Sequence, residues 1–413
     1  MKRAALRLGH WLPAQREVLD AWAHDFSAKV IAKGEVEYQP VIQEFADLIA
    51  GDPIVRMYIT NMIAQVPRTK RYRSHHLKSV EQMLSLINAV LTHAPEFNTT
   101  ALVGCPLNAI LDWSMGTPAG FAAFRYPAIN AMFKKILGVW CEFLSSEASL
   151  YVLNDSPTGW KCAKAIELTH MSEFEHDPEH RYWGFTSWND FFTRKFKPGR
   201  RPVAAPDDNS VIVSACESAP YNIAKNVQRR DAFWIKTQPY SLQDMLANNP
   251  SVEEFVGGTV YQAFLSAFNY HRWHSPVTGT ILSATNVEGT YFSEAEPEGE
   301  DPAGPTNSQG YITQVATRAI IHIMADDPAI GHMVVMPVGM AEVSSCVIDS
   351  RIKPQARVTK GDELGYFQYG GSTYCLIFRR GVVAAFASGA IPEPANPDPP
   401  LMLVNSYLAS ATR

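Results

Sequence analysis

Apolar residues follow two different patterns along this 413-residue chain. From the start to about Trp160 they recur at three- and four-residue steps, the stripe of helices packed on a common core. This spacing predicts helices over 40–49, 55–66, 75–91, 107–113 and 128–144. In the third, Val80, Met83, Leu84, Leu86, Ile87 and Val90 face inward. A Gly-Thr-Pro-Ala-Gly turn at 116–120 separates the last two. After Trp183 the apolar residues gather into short β-rich runs at 211–215, 259–264, 320–324, 333–338 and 374–378, with a helix over 241–247. A stretch rich in Pro, Gly, Glu and Asp, 294–309, reads as a long exposed loop. The fold class expected is α+β, with a helical N-terminal domain over 1–165 and an antiparallel β-rich domain over 166–413. The length is too great for one small core and favours two domains.

Charge narrows the partners. A net charge of −5 gives no basic face for nucleic acid or an anionic membrane. The clusters at Arg68, Lys70, Arg71 and Arg73, and at Arg194, Lys195, Lys197, Arg200 and Arg201, read as solvated surface. Six scattered cysteines form no CxxC pair and no zinc spacing, which suits a reducing compartment. The basic start Met1-Lys2-Arg3 is not followed by an apolar h-region, and no stretch has the length of a membrane span. A cytoplasmic protein with no stable membrane anchor is expected.

The candidate chemistry centres on Gly370-Gly371-Ser372-Thr373, placed at the mouth of the strand expected over 374–378. Glycine before a serine leaves the preceding carbonyl unshielded and tolerates strained dihedrals, so the hydroxyl can turn back on it. That is the geometry of an N-to-O acyl shift. His271 and His274 flank Arg272-Trp273 in an expected turn, where both rings can point into one cavity and exchange protons near neutral pH. A zinc pair is the alternative. It lacks a third ligand nearby, and no metal is expected. His75, His76 and His93 read as isolated surface histidines.

Tyr270-His271-Arg272-Trp273-His274-Ser275-Pro276, the entry segment 185–203, Gly339 to Cys346 and the Gly-Ser-Thr motif occur in the order that resembles the phosphatidylserine decarboxylase family. Asn108 to Trp113 and Gly159-Trp160 resemble the helical domain of a soluble branch of that family, which includes fungal L-tryptophan decarboxylases. The resemblance implies cleavage between Gly371 and Ser372, with Ser372 converted to a pyruvoyl group that serves as cofactor. It implies His274 as the base that deprotonates Ser372, and His271 as the residue acting in decarboxylation. Ser345 and Trp273 are expected to line the substrate pocket. One departure stands out: Cys216 occupies the place of the family aspartate that orients the base histidine. Glu217 is the substitute candidate, although neighbours on a regular strand face opposite ways.

The function implied is decarboxylation of a small-molecule amino acid, L-tryptophan or another aromatic one first, with phosphatidylserine as the alternative. A non-catalytic biotinyl or lipoyl-like carrier is the reading of another class, since 276–281 and 358–364 also suit such barrels. The cleaved C-terminal piece begins with a core strand and should stay bound to the rest, with an extended tail after Ile391. The helical half is expected to roof the site, with homodimerisation as the alternative role.

Overall fold

The computed structural model describes residues 16–32, 34, 37–66, 77–98, 105–231, 240–266, 268–294, 308–342, 345–393 and 400–412. The expected loop lies mostly outside these residues, as do His75, His76 and the cluster at 68–73.

The first half is helical, as its periodicity requires. Helices Pro40–Gly51, Pro53–Ala64, Pro106–Met115, Pro118–Ala123 and Pro127–Leu144 each begin with a proline, whose fixed φ and missing N–H suit the first turn. Val80–Val90 instead starts at Ser79, whose hydroxyl accepts from the Gln82 N–H at 3.1 Å. Gly116 and Thr117 make the expected turn, and the rest of the Gly-Thr-Pro-Ala-Gly stretch opens the short helix Pro118–Ala123, with Thr117 capping the Gly120 N–H at 3.0 Å. All ten residues of Pro106–Met115 are buried, so this helix runs through the core rather than along its surface.

The second half is built on a seven-stranded antiparallel sheet. Its order is Ala219–Lys225, Thr259–Leu265, Ser372–Phe378, His332–Gly339, Arg318–Ala325, Gly279–Val287 and Arg357–Val358. Ser372–Phe378 lies inside the sheet, paired over all seven residues with a strand on each side. Every one of its residues is buried, which explains the unbroken apolar run Tyr374 to Phe378. Alternation divides it: Cys375 and Ile377 join the core shared with the N-terminal helices, while Tyr374, Leu376 and Phe378 join a second core on the other face. The helical half and one face of the sheet thus form a single apolar interior.

Two three-stranded sheets complete the fold. One joins Arg272–His274, Glu363–Gln368 and Ser345–Ile348, the other Val211–Val213, Tyr407–Ala411 and Val383–Phe386. At Gly365 the backbone closes on its neighbours: a Cβ there would lie 2.2 Å from the Val347 carbonyl oxygen and 2.7 Å from the Trp273 ring. Only glycine fits.

Two expectations are corrected here. The tail does not simply trail away, because Tyr407–Ala411 returns to pair with Val211–Val213. The basic cluster at 194–201 is not all solvated surface either. Arg194 is buried, its guanidinium over the Phe174 ring and donating to the Phe268 carbonyl at 2.8 Å. Arg201 is nearly buried and binds Glu217 through Nε, at 3.1 and 3.2 Å, and through Nη2 at 2.6 Å, while Nη2 also reaches Glu173 at 2.7 Å. The Val404 N–H donates to the same Glu217 carboxylate at 2.8 Å. Glu217 therefore ties the entry segment to the returning tail. Breaking such a pair strands a buried guanidinium, so Glu217→Ala should lower unfolding stability by about 3 kcal/mol in a denaturant titration. An unchanged midpoint would contradict this role.

Candidate active site

Gly371 and Ser372 sit where the central strand begins. Gly370 has φ +136°, a backbone setting that L side chains rarely adopt. The next residue is held on both sides of its α-carbon: the Gly371 N–H donates to the Ala341 carbonyl at 2.9 Å, and the Gly371 carbonyl, which belongs to the Gly371–Ser372 peptide bond, accepts from the Met340 N–H at 3.0 Å. Ser372 is opposite Leu265 on one side and Gly339 on the other. Its side chain is fully buried, and its Oγ has no hydrogen-bond partner among the described residues. A carbonyl polarised by a fixed donor thus directly precedes an uncommitted hydroxyl. This pairing suits attack on that carbonyl, since a preplaced N–H stabilises the oxygen as it gains charge.

The histidines are not in a turn. Arg272–His274 is a strand, and a spacing of three on extended backbone sends His271 and His274 to opposite sides. His271 is fully buried and stacked on Phe192, with ring centroids 4.1 Å apart. Neither of its ring nitrogens completes a hydrogen bond, although the Asn269 backbone favours the protonated ring. Burial, and then the nearby Arg194 guanidinium, push its pKa down to about 3. His274 is differently held. Its Nδ1 lies 2.7 Å from the Gly361 carbonyl and its Nε2 lies 2.8 Å from the Tyr270 hydroxyl. A carbonyl only accepts, so Nδ1 carries the hydrogen and Nε2 accepts from Tyr270. Burial lowers the pKa of this ring too, keeping it neutral.

The structure does not bring Glu217 to His274. Glu217 is held by Arg201 and Val404, whereas the His274 nitrogens are held by Gly361 and Tyr270. Cys216 is fully buried, and burial pushes its thiol pKa well up, so it supplies no negative charge. What touches His274 from this segment is backbone: the Ala215 carbonyl accepts from the His274 N–H at 2.8 Å. Trp273 lies in the second core beside Phe367, with ring centroids 5.3 Å apart, on the opposite face from its neighbour His274 as strand alternation requires. Ser345 faces Gln368 across its strand pair and donates to the Gln368 side chain at 2.9 Å.

Four further residues meet near Gly371, namely Tyr369, Cys105, Asn108 and Glu342, and the first two come from outside the expected motifs. Tyr369 is buried, with its ring centroid 5.0 Å from Phe192, 5.3 Å from Trp140 and 5.8 Å from Trp188. Cys105 lies against the Gly371 backbone, and burial raises its thiol pKa. Asn108 is fully buried with neither side-chain polar atom paired. Its N–H donates to Glu342 Oε1 at 2.6 Å. The readable signal was the polar Asn108, Asp112 and Ser114 inside a helix that is buried on every side.

Comparison with known proteins places the chain in a family. Two family models, both described as phosphatidylserine decarboxylase, match residues 39–168 and 188–390. The chain is 40% identical over 296 residues to decarboxylase iboD of Amanita muscaria, spanning 67% of this chain and 84% of that protein. It is 34% identical over 403 residues to the L-tryptophan decarboxylase of Psilocybe cyanescens, spanning 91% and 89%. A phosphatidylserine decarboxylase proenzyme of Chlamydia felis is 32% identical over 200 residues, 48% of this chain and 62% of the other. The chain therefore belongs to the phosphatidylserine decarboxylase family, as a decarboxylase similar over most of its length to fungal ones.

Proposed function

We propose that the protein cleaves itself between Gly371 and Ser372 and then decarboxylates a free aromatic amino acid, L-tryptophan first. The observation carrying this reading is the buried, unpartnered Ser372 Oγ beside a carbonyl held by the Met340 N–H. Ser372 Oγ attacks the Gly371 carbonyl carbon, and the C–N bond breaks as the amide becomes an ester. Loss of the Ser372 α-proton then expels the Gly371 carboxylate. Water hydrolyses the resulting dehydroalanine, releasing ammonia and leaving a pyruvoyl group at position 372.

Residue 372 fits that group, because its fully buried oxygen has no hydrogen bond to lose. When present, a pyruvoyl ketone takes up the substrate amine and accepts the electrons freed as carbon dioxide departs. The chain's own residues do the rest. His274 Nε2 is the base assigned to Ser372, and the proton reaches it through the Tyr270 hydroxyl or after that hydrogen bond opens. His271 works as a neutral ring, able to accept a proton at one nitrogen and donate from the other. The buried setting keeps water from the departing carboxylate.

The rings of Trp140, Trp188 and Phe192 about Tyr369 support an aromatic side chain, as does the name of the Psilocybe relative. The proenzymes named for phosphatidylserine support the second reading. Among the described residues no helix is long and apolar enough to cross a membrane. Together with the charge balance, this supports work on a free amino acid in the cytoplasm. The cleaved C-terminal piece remains as a bound partner through its central strand.

Purified protein should release amine from free L-tryptophan and leave phosphatidylserine vesicles unchanged, whereas Ser372→Ala should act on neither substrate. Turnover of the vesicles alone would favour the second reading. The pH dependence follows from His271, whose pKa is about 3 folded against an ordinary 6.5. Between these values the unfolded chain binds the extra proton, so this ring's contribution to stability is complete above pH 6.5 and is lost as pH falls. Stability should drop by about 1.4 kcal/mol per pH unit from this group alone, and His271→Gln should flatten the curve by that slope. Parallel curves for the two proteins would refute the assignment.

A further inference from the structure

Glu342 has no role in the chemistry described above, yet it sits where the helical half meets the cleavage site. It directly follows Met340 and Ala341, the two residues whose backbone binds the carbonyl and the N–H of Gly371. Its own φ is +63°, a left-handed setting that costs a glutamate energy unless the surroundings impose it. The side chain is 1% exposed. Its carboxyl reaches the first turn of the buried helix Pro106–Met115, accepting from the Asn108 N–H at 2.6 Å and interacting with the Leu107 backbone. Oε2 has no partner. Burial raises the pKa well above the carboxylate range, against the pull of the helix N–H groups. Among the described residues Glu342 makes no ion pair, so hydrogen bonds to the helix are what hold the side chain.

We infer that Glu342 is a positioning residue for self-cleavage: it bolts the 340–342 turn to the helix Pro106–Met115 and so sets the Met340 N–H on the Gly371 carbonyl. This rests on the proposed cleavage and adds a dependence to it. The helical half must dock before the bond can break, because the group that fixes the donor is anchored at Leu107 and Asn108. The packing is consistent with such coupling. Cys105, the residue before the helix, touches the Gly371 backbone, and one apolar core runs from the helices into the sheet. A bolt needs reach and an acceptor atom, whereas an acid or a charge needs an ionisable carboxyl.

Two substitutions separate these demands. Glu342→Gln keeps the length and the accepting oxygen. Glu342→Asp keeps the carboxyl and tolerates the left-handed turn but falls one methylene short. Full-length chain made by cell-free translation would be chased and its cleavage followed on denaturing gels. Hydroxylamine would be added in parallel to cut chains that have reached the ester. Glu342→Gln should cleave within about threefold of the unsubstituted chain, and Glu342→Asp about 100-fold more slowly, the scale of a misplacement near 1 Å. The hydroxylamine-sensitive fraction should fall with Glu342→Asp, while the melting temperature of folded protein changes little. Glu342→Gly, whose backbone accepts the turn, serves in place of an aspartate variant that does not fold, with the same slow cleavage expected. Rapid cleavage of Glu342→Asp or Glu342→Gly, or loss of cleavage in a folded Glu342→Gln, would overturn the inference. If the unsubstituted chain never cleaves, the failure lies with the proposed function instead.

Discussion

The structure depends on one residue whose N–H and carbonyl are both hydrogen-bonded, while the hydroxyl of the next residue has no partner among the described residues. Gly371 gives its N–H to Ala341 and takes the Met340 N–H on its carbonyl, and Ser372 then enters a strand paired on both sides. Burying a hydroxyl without a partner costs on the order of 1–3 kcal/mol. The rest of the sheet supports that cost, since every residue of Ser372–Phe378 is buried and two apolar cores meet across it. A reactive arrangement is thereby held in the most constrained part of the fold. The same burial explains why the small C-terminal piece would stay in place after cleavage, having central strand contacts at one end and the paired Tyr407–Ala411 strand near the other.

The helical half is more than a roof over this arrangement. Its buried helix Pro106–Met115 reaches the site through Cys105 and Asn108, and Trp140 packs against Tyr369, three residues before Ser372. Low-dielectric surroundings govern the chemistry available there. Cys105 and Cys216 stay as thiols, and His271 and His274 stay as neutral rings, all mainly through burial. Proton movement must therefore run through uncharged groups. In the proposed cleavage Tyr270 and His274 would form such a path, with the direction of their hydrogen bond set by the Gly361 carbonyl on the other ring nitrogen.

Much of the fold was legible because its signals are local. Helical spacing marked the N-terminal helices, and continuous apolar runs marked the inner strands such as His332–Gly339 and Ser372–Phe378. The outer strands were harder to read. Tyr407–Ala411 follows a proline-rich segment and reads as tail until its partner Val211–Val213 is placed beside it. Gly279–Val287 carries exposed and half-buried positions, so no unbroken run announces it. At the site, Ser372 and the two histidines were visible from motif and spacing, but their partners were not. Glu217 looked like the acid for His274 because it adjoins Cys216, yet Arg201 and the Val404 N–H claim its carboxylate. Trp273 turned out on the far side because the segment is a strand and not a turn. Contacts such as Asn108 with Glu342 join residues 234 positions apart, and no local pattern encodes such a meeting.

The most direct measurement is the intact mass of purified protein under denaturing conditions. The account predicts two pieces, one ending at Gly371 and one covering residues 372–413 with a blocked, ketone-bearing first residue that reacts with hydrazides. A single uncut chain of 45.8 kDa that still releases carbon dioxide from an amino acid at full rate would contradict it.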